Sequence, residues 1–442
     1  MSRRLIAVLA LALVAGLAFS PAYAEVQNVK VSGDIIASGV SRQHFNLTNG
    51  PSGDKQNIDQ SFIMSQVRVR IDADLTDNVM ATVRLINERV WNGQNDASST
   101  GNSNIDLDLA YVTLKEFLYS PLTLTVGRQE MRFGNGLVIG NAKLASGVVN
   151  IPTDLTERKA FDAIRATLNY DPLVVDLVYA KVKQADTTRN NTIYLAGVNA
   201  TYAVNKDTDV SAYYFNKRDN DGGASNSKGK PDQVNTLGAL GSTKIMGIKA
   251  SLEGAYQFGK NDTSTDTNAS RHDAWAIQAM ADYTFDKVKT TPTVGASYTY
   301  LSGGENSASR NGGWDPMFYD QKLNNIAYTI LPFTNMSVFN LKASCKLVED
   351  VTLSAVYGYY DQAKSTNNTL TGPFLYNGST TYLSETLTSK THLGDAIDIT
   401  ATYDYTEDVQ FGLTTGWFKP GKAFSDDKRN ATQLIGSMKV IF

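Results

Sequence analysis

Along most of this chain apolar and polar residues alternate with a period of two, which marks half-buried β-strands rather than 3.6-residue helical turns. Near the C-terminus Leu434, Gly436, Met438, Val440 and Phe442 share one face, while Ile435, Ser437, Lys439 and Ile441 share the other. Ile397, Ile399, Ala401, Tyr403 and Tyr405 alternate with Asp398, Thr400, Thr402 and Asp404, and Phe339, Leu341, Ala343, Cys345 and Leu347 alternate with Asn340, Lys342, Ser344 and Lys346. About eighteen segments of this kind follow one another, each of a length that crosses a bilayer at a tilt. Sixteen remains possible, because Gly238, Gly241 and Gly247 blur the pattern in the pair around 234–260.

A soluble β-sandwich with one wet face gives the same alternation. The connections distinguish the two folds. Short ones, such as Thr76-Asp77-Asn78, Tyr119-Ser120-Pro121, Asp171-Pro172, Asn205-Lys206-Asp207 and Glu349-Asp350, take turns with long ones rich in Asn, Ser, Gly and Thr, near 43–60, 92–103, 133–158, 219–233, 303–335 and 363–390. Short turns at one end and long loops at the other describe a transmembrane antiparallel β-barrel of the bacterial outer membrane. Tyr and Phe near the strand ends fit the aromatic girdles of such barrels, and an even strand number returns both chain ends to the periplasmic side. At sixteen to eighteen strands the side chains cannot fill the lumen, so it holds water.

Composition agrees with this picture. Arg3 and Arg4, an uncharged apolar stretch from Leu5 to Phe19 and the small-x-small site Ala22-Tyr23-Ala24 read as a cleaved signal peptide over residues 1–24, with a single barrel domain over 25–442. Beyond Ala24 no apolar run approaches the roughly 18 residues of a spanning helix. Lys and Arg (41) nearly balance Asp and Glu (44), so there is no basic stripe for nucleic acid. The single cysteine, Cys345, cannot form an intrachain disulfide, and its phase with Leu341 and Leu347 turns it to lipid.

Catalytic chemistry finds no support. His44, His272 and His392 are far apart in or beside loops, and no metalloprotease, redox-cysteine, nucleophile-elbow or phosphate-loop pattern appears. No cofactor and no metal are expected, and the spacing of loop acids is not that of an EF-hand. The informative charges sit on the polar faces of the strands. A Lys or Arg facing lipid at mid-membrane costs about 2–4 kcal/mol, so Arg68, Arg70, Arg84, Glu88, Asp106, Asp108, Arg165, Lys342, Lys346 and Asp398 are expected to line the lumen. A turn centred on Thr76 would set Arg68 directly opposite Arg84, a like-charge pair that calls for an anionic solute or a counter-charge. Acids on neighbouring strands could supply that counter-charge as a structural ladder. Strict alternation would point Arg128 outward with Leu122, Leu124 and Val126, and a bulge at Gly127 would redirect it inward.

The run Gly127-Arg128-Gln129 followed by Phe133-Gly134-Asn135-Gly136-Leu137-Val138-Ile139-Gly140 resembles a hallmark of the alginate-export family of outer-membrane porins. Phe161-Asp162 with Arg165, Tyr256-Gln257-Phe258-Gly259, Trp314-Asp315-Pro316, Leu393-Gly394 with Ile397-Asp398, and Phe418-Lys419-Pro420-Gly421 resemble further landmarks in the same order. The resemblance implies an eighteen-stranded monomeric barrel with a narrow, arginine-lined path for an anionic polysaccharide. It also shows departures, since Leu137 stands where that family usually carries an arginine, and Asn135 and Ala396 stand where acids are common. Phe442, closing an aromatic and apolar strand, resembles the signal read by the barrel-assembly machinery. The expected partners are that machinery, outer-membrane lipid and lipopolysaccharide, and a polar or anionic carbohydrate-like solute. The expected function is passive transport. A general small-nutrient porin and a surface-binding barrel with a plugged lumen are the alternatives.

Overall fold

The computed structural model describes residues 28–47, 59–91, 105–142, 152, 154–184, 192–220, 232–261, 270–304, 310–365, 369–372, 375–376, 380–381, 384–425 and 427–442. The segment expected to be a signal peptide and parts of several long loops lie outside the described residues.

The alternating segments become β1 (Asn28–Gln43), β2 (Gln60–Thr76), β3 (Val79–Val90), β4 (Asp106–Leu114), β5 (Leu122–Gln129), β6 (Phe161–Asn169), β7 (Leu173–Gln184), β8 (Thr192–Asn205), β9 (Thr208–Asp219), β10 (Asp232–Ile245), β11 (Ile248–Asn261), β12 (Ser270–Thr284) and β13 (Thr293–Leu301). After the two-residue β14 (Arg310–Asn311) and a single helical turn, α1 (Asn325–Ile330), come β15 (Met336–Val348) and β16 (Val351–Gln362). The loop that follows holds the short strands β17 (Thr369–Thr371), β18 (Leu375–Tyr376), β19 (Thr380–Thr381) and β20 (Ser384–Thr386). The wall ends with β21 (His392–Asp404), β22 (Val409–Pro420) and β23 (Ala431–Ile441).

Each long strand pairs antiparallel with its sequence neighbours. β1 closes the ring by pairing with β2 on one side and β23 on the other, with Asp34 opposite Arg68 and Ile441. Leaving out β14 and β17 to β20, eighteen strands form the closed wall. Closure pairs the backbone of every spanning segment, which a hydrocarbon environment demands because no water is there to do so. The doubtful pair is a full hairpin, with β10 and β11 in register from Gln233–Lys260 to Ile245–Ile248. Gly247 is part of its turn rather than a break in a strand. Met246 and Gly247 both have positive φ, 51° and 83°, which suits a two-residue hairpin loop matched to strand twist.

The outer face is apolar. Leu341, Leu252, Leu413, Trp275 and Tyr298 all point out into the surroundings, the arrangement lipid selects. Cys345 lies on this face, in phase with Leu341 and Leu347 and paired with Leu353. The buried apolar residues lie within the barrel, where the loops after β5 and β13 fold inward. Phe133, Leu137, Val138 and Ile139 of the first loop pack with Phe161, Tyr213 and Phe215 of the wall. The Phe133 and Phe215 rings stand 5.4 Å apart. From the second loop, Phe318 meets Phe161 edge-on at 5.7 Å.

Candidate functional site: the lumen and its two crossing loops

The lumen face of the wall from β1 to β6 carries most of the expected charges, and Arg68, Arg70, Arg84 and Arg165 on it are each ion-paired. Arg68 forks onto Asp34, with Nε at 2.9 Å from Oδ1 and Nη2 at 2.5 Å from Oδ2, and reaches Glu157 at 3.1 Å. Arg70 holds Asp72 at 2.7 Å, and Asp72 also accepts from Thr82 at 2.6 Å. Arg84 holds Asp108 at 2.6 Å and also meets Glu130. Arg165 donates to Asp176 at 2.8 Å and lies over the Phe133 ring. Glu88 is buried and accepts from Arg158 at 2.9 Å, while the other arm of Arg158 takes Asp106 at 2.8 Å. Planar guanidinium forks suit such two-point contacts.

Two expected placements change. Arg68 is not opposite Arg84: it faces Ile86, and Arg70 faces Arg84. The cause is the turn, which is centred between Asp77 and Asn78 rather than on Thr76, with Thr76 opposite Val79; a bulge between Asp74 and Thr76 then sets the register at Arg68–Ile86. Arg128 remains on the outer face. Gly127 takes φ 126° because a Cβ there would lie 2.2 Å from the Ala110 carbonyl oxygen, yet the β4–β5 register runs unbroken through it. Arg128 therefore pairs with the exposed Asp162 at 3.2 Å, at the long-loop rim. A bulge does occur on β4, where Arg84 faces Leu109 and Leu85 faces Leu107, so that Asp108 and Leu109 are both buried inside.

The other residues singled out lie as follows. Lys342 and Lys346 are on the lumen face of β15, opposite Val356 and Thr352, and no ion pair involves either among the described residues. Asp398, buried on β21, accepts the Asn325 amide of α1 at 2.5 Å and so fixes the second loop to the far wall. Phe442 extends the β23 ladder past its last residue. Its amide donates to the Gly33 carbonyl at 3.0 Å and its carbonyl accepts from the Gly33 amide at 2.8 Å. Gly33 is needed there, since a Cβ would stand 2.3 Å from the Arg68 carbonyl oxygen and 2.7 Å from the Phe442 ring.

No periodicity shows how the two loops meet. Residues 130–142 and 311–335 run together across the lumen. Ile139 bridges Phe318 in parallel, the Phe318 amide donates to Val138 at 3.0 Å, and the Asp320 amide donates to Gly136 at 2.8 Å. From this junction contacts reach several walls. Asn135 meets Glu253 and Ser251 on β11. Gln321 bonds Gln278 on β12 at 2.9 Å. Past the junction, the first loop's Asp154 grips Arg42 of β1, both buried. At the junction Arg132 and Lys159 converge on one carboxylate, Asp320, at 2.9 and 3.0 Å. The two cations are 49% and 35% exposed and the acid 13%, so solvent in the lumen meets a net positive group. These residues lie in irregular segments, where no periodicity exists to reveal a facing side.

A closed eighteen-stranded wall with an apolar exterior, a charged interior and infolded loops defines an outer-membrane channel for solute diffusion. The alginate export family model matches residues 39–436, and the chain belongs to that family. Among solved structures it is similar in fold to OccK2 (OpdF) of Pseudomonas aeruginosa in complex with glucuronate, at 9% identity and TM-score 0.56 over 94% of this chain and 97% of that one. It is similar to OccD3 (OpdP) of the same organism at 12% identity and TM-score 0.55, over 95% and 94%. Pseudomonas aeruginosa OpdK with vanillate matches at 10% identity and TM-score 0.54, over 93% and 99%. No curated protein sequence matches the chain. The protein is an integral outer-membrane porin of the alginate-export type.

Proposed function

We propose that this channel passes polar, anionic solutes, among them carbohydrate acids, and that its charge preference is set where the two loops meet. The observation that carries this reading is the sharing of Asp320 by Arg132 and Lys159, which leaves one uncompensated, solvated cation in the lumen. Lys322 adds to it. Its ammonium donates to the Asp154 backbone carbonyl at 3.0 Å, and the Asp154 carboxylate is engaged by Arg42. Lys342 and Lys346 bring further cations to the periplasmic end of the wall. Arg68, Arg70, Arg84 and Arg165 have a different part in this reading: each is matched by acid, so they hold the wall and the loops together. Two of the fold relatives are described with carboxylate ligands, glucuronate and vanillate. The closed single-chain wall needs no partner subunit, and we expect a monomer assembled by the barrel machinery through its Phe442-ended strand.

The test is the reversal potential of single channels in a salt gradient. The double variant Arg132→Gln with Lys159→Gln should lower the anion/cation permeability ratio severalfold. An unchanged ratio in a folded double variant would overturn the proposal and leave a channel of no charge preference at this point.

A further inference from the structure

On the outer face of the wall, at the long-loop end of β9 to β12, the apolar surface stops at a row of cations. The outward positions of β11 end in Leu252, Gly254, Tyr256, Phe258 and Lys260, so an exposed lysine follows two exposed rings. The register carries the row sideways. Arg218 of β9 faces Gln233 of β10, Gln233 faces Lys260, Lys260 stands directly opposite Arg271 of β12, and Arg271 lies beside Arg310 of β14. All four cations are exposed. At about 4.8 Å per strand the row is roughly 19 Å long. A strand rising about 3.3 Å per residue at a tilt of about 40° gains roughly 25 Å of height from Ile248 to Phe258, which is the height of the apolar band. Lys260 stands one step above that band, and the long loops mark this end as extracellular, so the row lies at the headgroup level of the outer leaflet.

Two cations directly opposite each other on one face of a sheet are unfavourable without an anion between them. Among the described residues neither Lys260 nor Arg271 has an ion pair. Asp219 and Asp232 are near in sequence but share the parity of Lys217 and Val234, which face inward. Asp273 does face outward, and it is held by Arg310 at 2.8 Å and by the Tyr256 hydroxyl at 2.9 Å. Beside it a cavity of about 330 Å³ is lined by Trp275, Arg310 and Lys364 as well as Asp273. The patch is therefore net positive, partly concave and bordered below by rings, with Trp275 stacked on Tyr300 at 4.4 Å.

Guanidinium forks suit phosphate, and a row of this length accommodates more than one phosphate group. Acyl chains hanging from the same headgroup would descend over Tyr256, Phe258 and Trp275. An anion free in water has no use for those rings, and a glycerophospholipid brings one phosphate only. We propose that this face of the barrel binds a phosphorylated glycolipid of the outer leaflet, with Lys260 and Arg271 as its central phosphate contacts. The proposal does not rest on the anion reading of the channel, since these two side chains face away from the lumen.

Titration of the whole purified barrel in neutral detergent with diphosphoryl lipid A, followed by native mass spectrometry, tests it. Saturable binding is expected, tighter than that of phosphatidylglycerol. Lys260→Gln with Arg271→Gln should weaken it about twenty-five-fold, or roughly fivefold for each cation removed near an anionic headgroup. Lys419→Gln, another outward cation on a distant part of the same rim, should leave it unchanged. Folding of each variant is checked by heat-modifiable mobility. No saturable binding, undiminished binding in the folded double variant, an equal loss in Lys419→Gln, or equal affinity for phosphatidylglycerol would overturn the proposal.

Discussion

Replacing Asp320 with Asn keeps the side chain's size and removes the one carboxylate that Arg132 and Lys159 share. The junction then carries two uncompensated cations instead of one. For a monovalent ion passing roughly 6 Å away, a unit charge changes the energy by about 0.7 kcal/mol in bulk water, before screening. At 0.1 M salt the Debye length of about 10 Å trims that by roughly half. Anions gain and cations lose by the same amount, so the permeability ratio should rise about threefold to tenfold. The structural cost is small. Both cations are substantially exposed, so the lost ion pairs are worth about 1 kcal/mol together. Reversal potentials in planar bilayers at 0.1 M and 1 M salt provide the assay, and the gain should shrink at 1 M, where the Debye length is about 3 Å. A ratio that stays level or falls at 0.1 M, in a barrel with native heat-modifiable mobility, would refute the placement of the selective charge at the junction.

Asp154→Ala removes one carboxylate from the fully buried Arg42 and should cost a few kcal/mol, read as a lower temperature for the heat-modifiable gel shift. Arg84→Ser should be costly for the same reason, because Asp108 is fully buried, and adding Asp108→Asn should restore most of the loss; no rescue would show that Asp108 is satisfied in another way. Burial alone would raise the Asp315 carboxyl, but Lys217 holds it below its usual value of 3.8. The stability it contributes is therefore present above about pH 4 and lost as pH falls below it, so the wild-type advantage over Asp315→Asn in thermal shift should vanish in acid. Cys345 should stay unlabelled by a charged, membrane-impermeant maleimide in intact barrels, and rapid labelling would place β15 in the opposite phase.

The wall was readable from the chain because alternation is a local property, and lipid on one side with water on the other enforces it over every strand. Even the ambiguous stretch around Gly238 and Gly241 proved regular once Gly247 was understood as a turn residue. The same rule put Arg68, Glu88, Lys342 and Asp398 on the inner face. It could not detect single-residue bulges. With the turn centred between Asp77 and Asn78 and one extra residue at Leu75, Ile86 stands opposite Arg68 and Arg84 opposite Arg70. At Gly127 a bulge was expected, but the glycine served a close backbone approach instead. The residues proposed to set the charge preference were not legible at all. Arg132, Lys159 and Asp320 lie in irregular chain, and the residues on either side of the junction are more than a hundred positions apart in sequence, brought together only by the closed wall around them.

A cylinder made from one chain has a seam where its first and last strands meet, and here the seam is β1 against β23. Arg42 of β1 donates through Nε to Gln433 of β23 at 2.9 Å, and its far end is gripped by Asp154 from the first infolded loop. A side chain thus reaches across the join from within, and a loop rooted between β5 and β6 locks it. One side chain of β1 serves both the seam and the loop. A barrel whose seam is prised apart laterally must give up the Arg42–Gln433 hydrogen bond on its inner side as well as the ladder between β1 and β23.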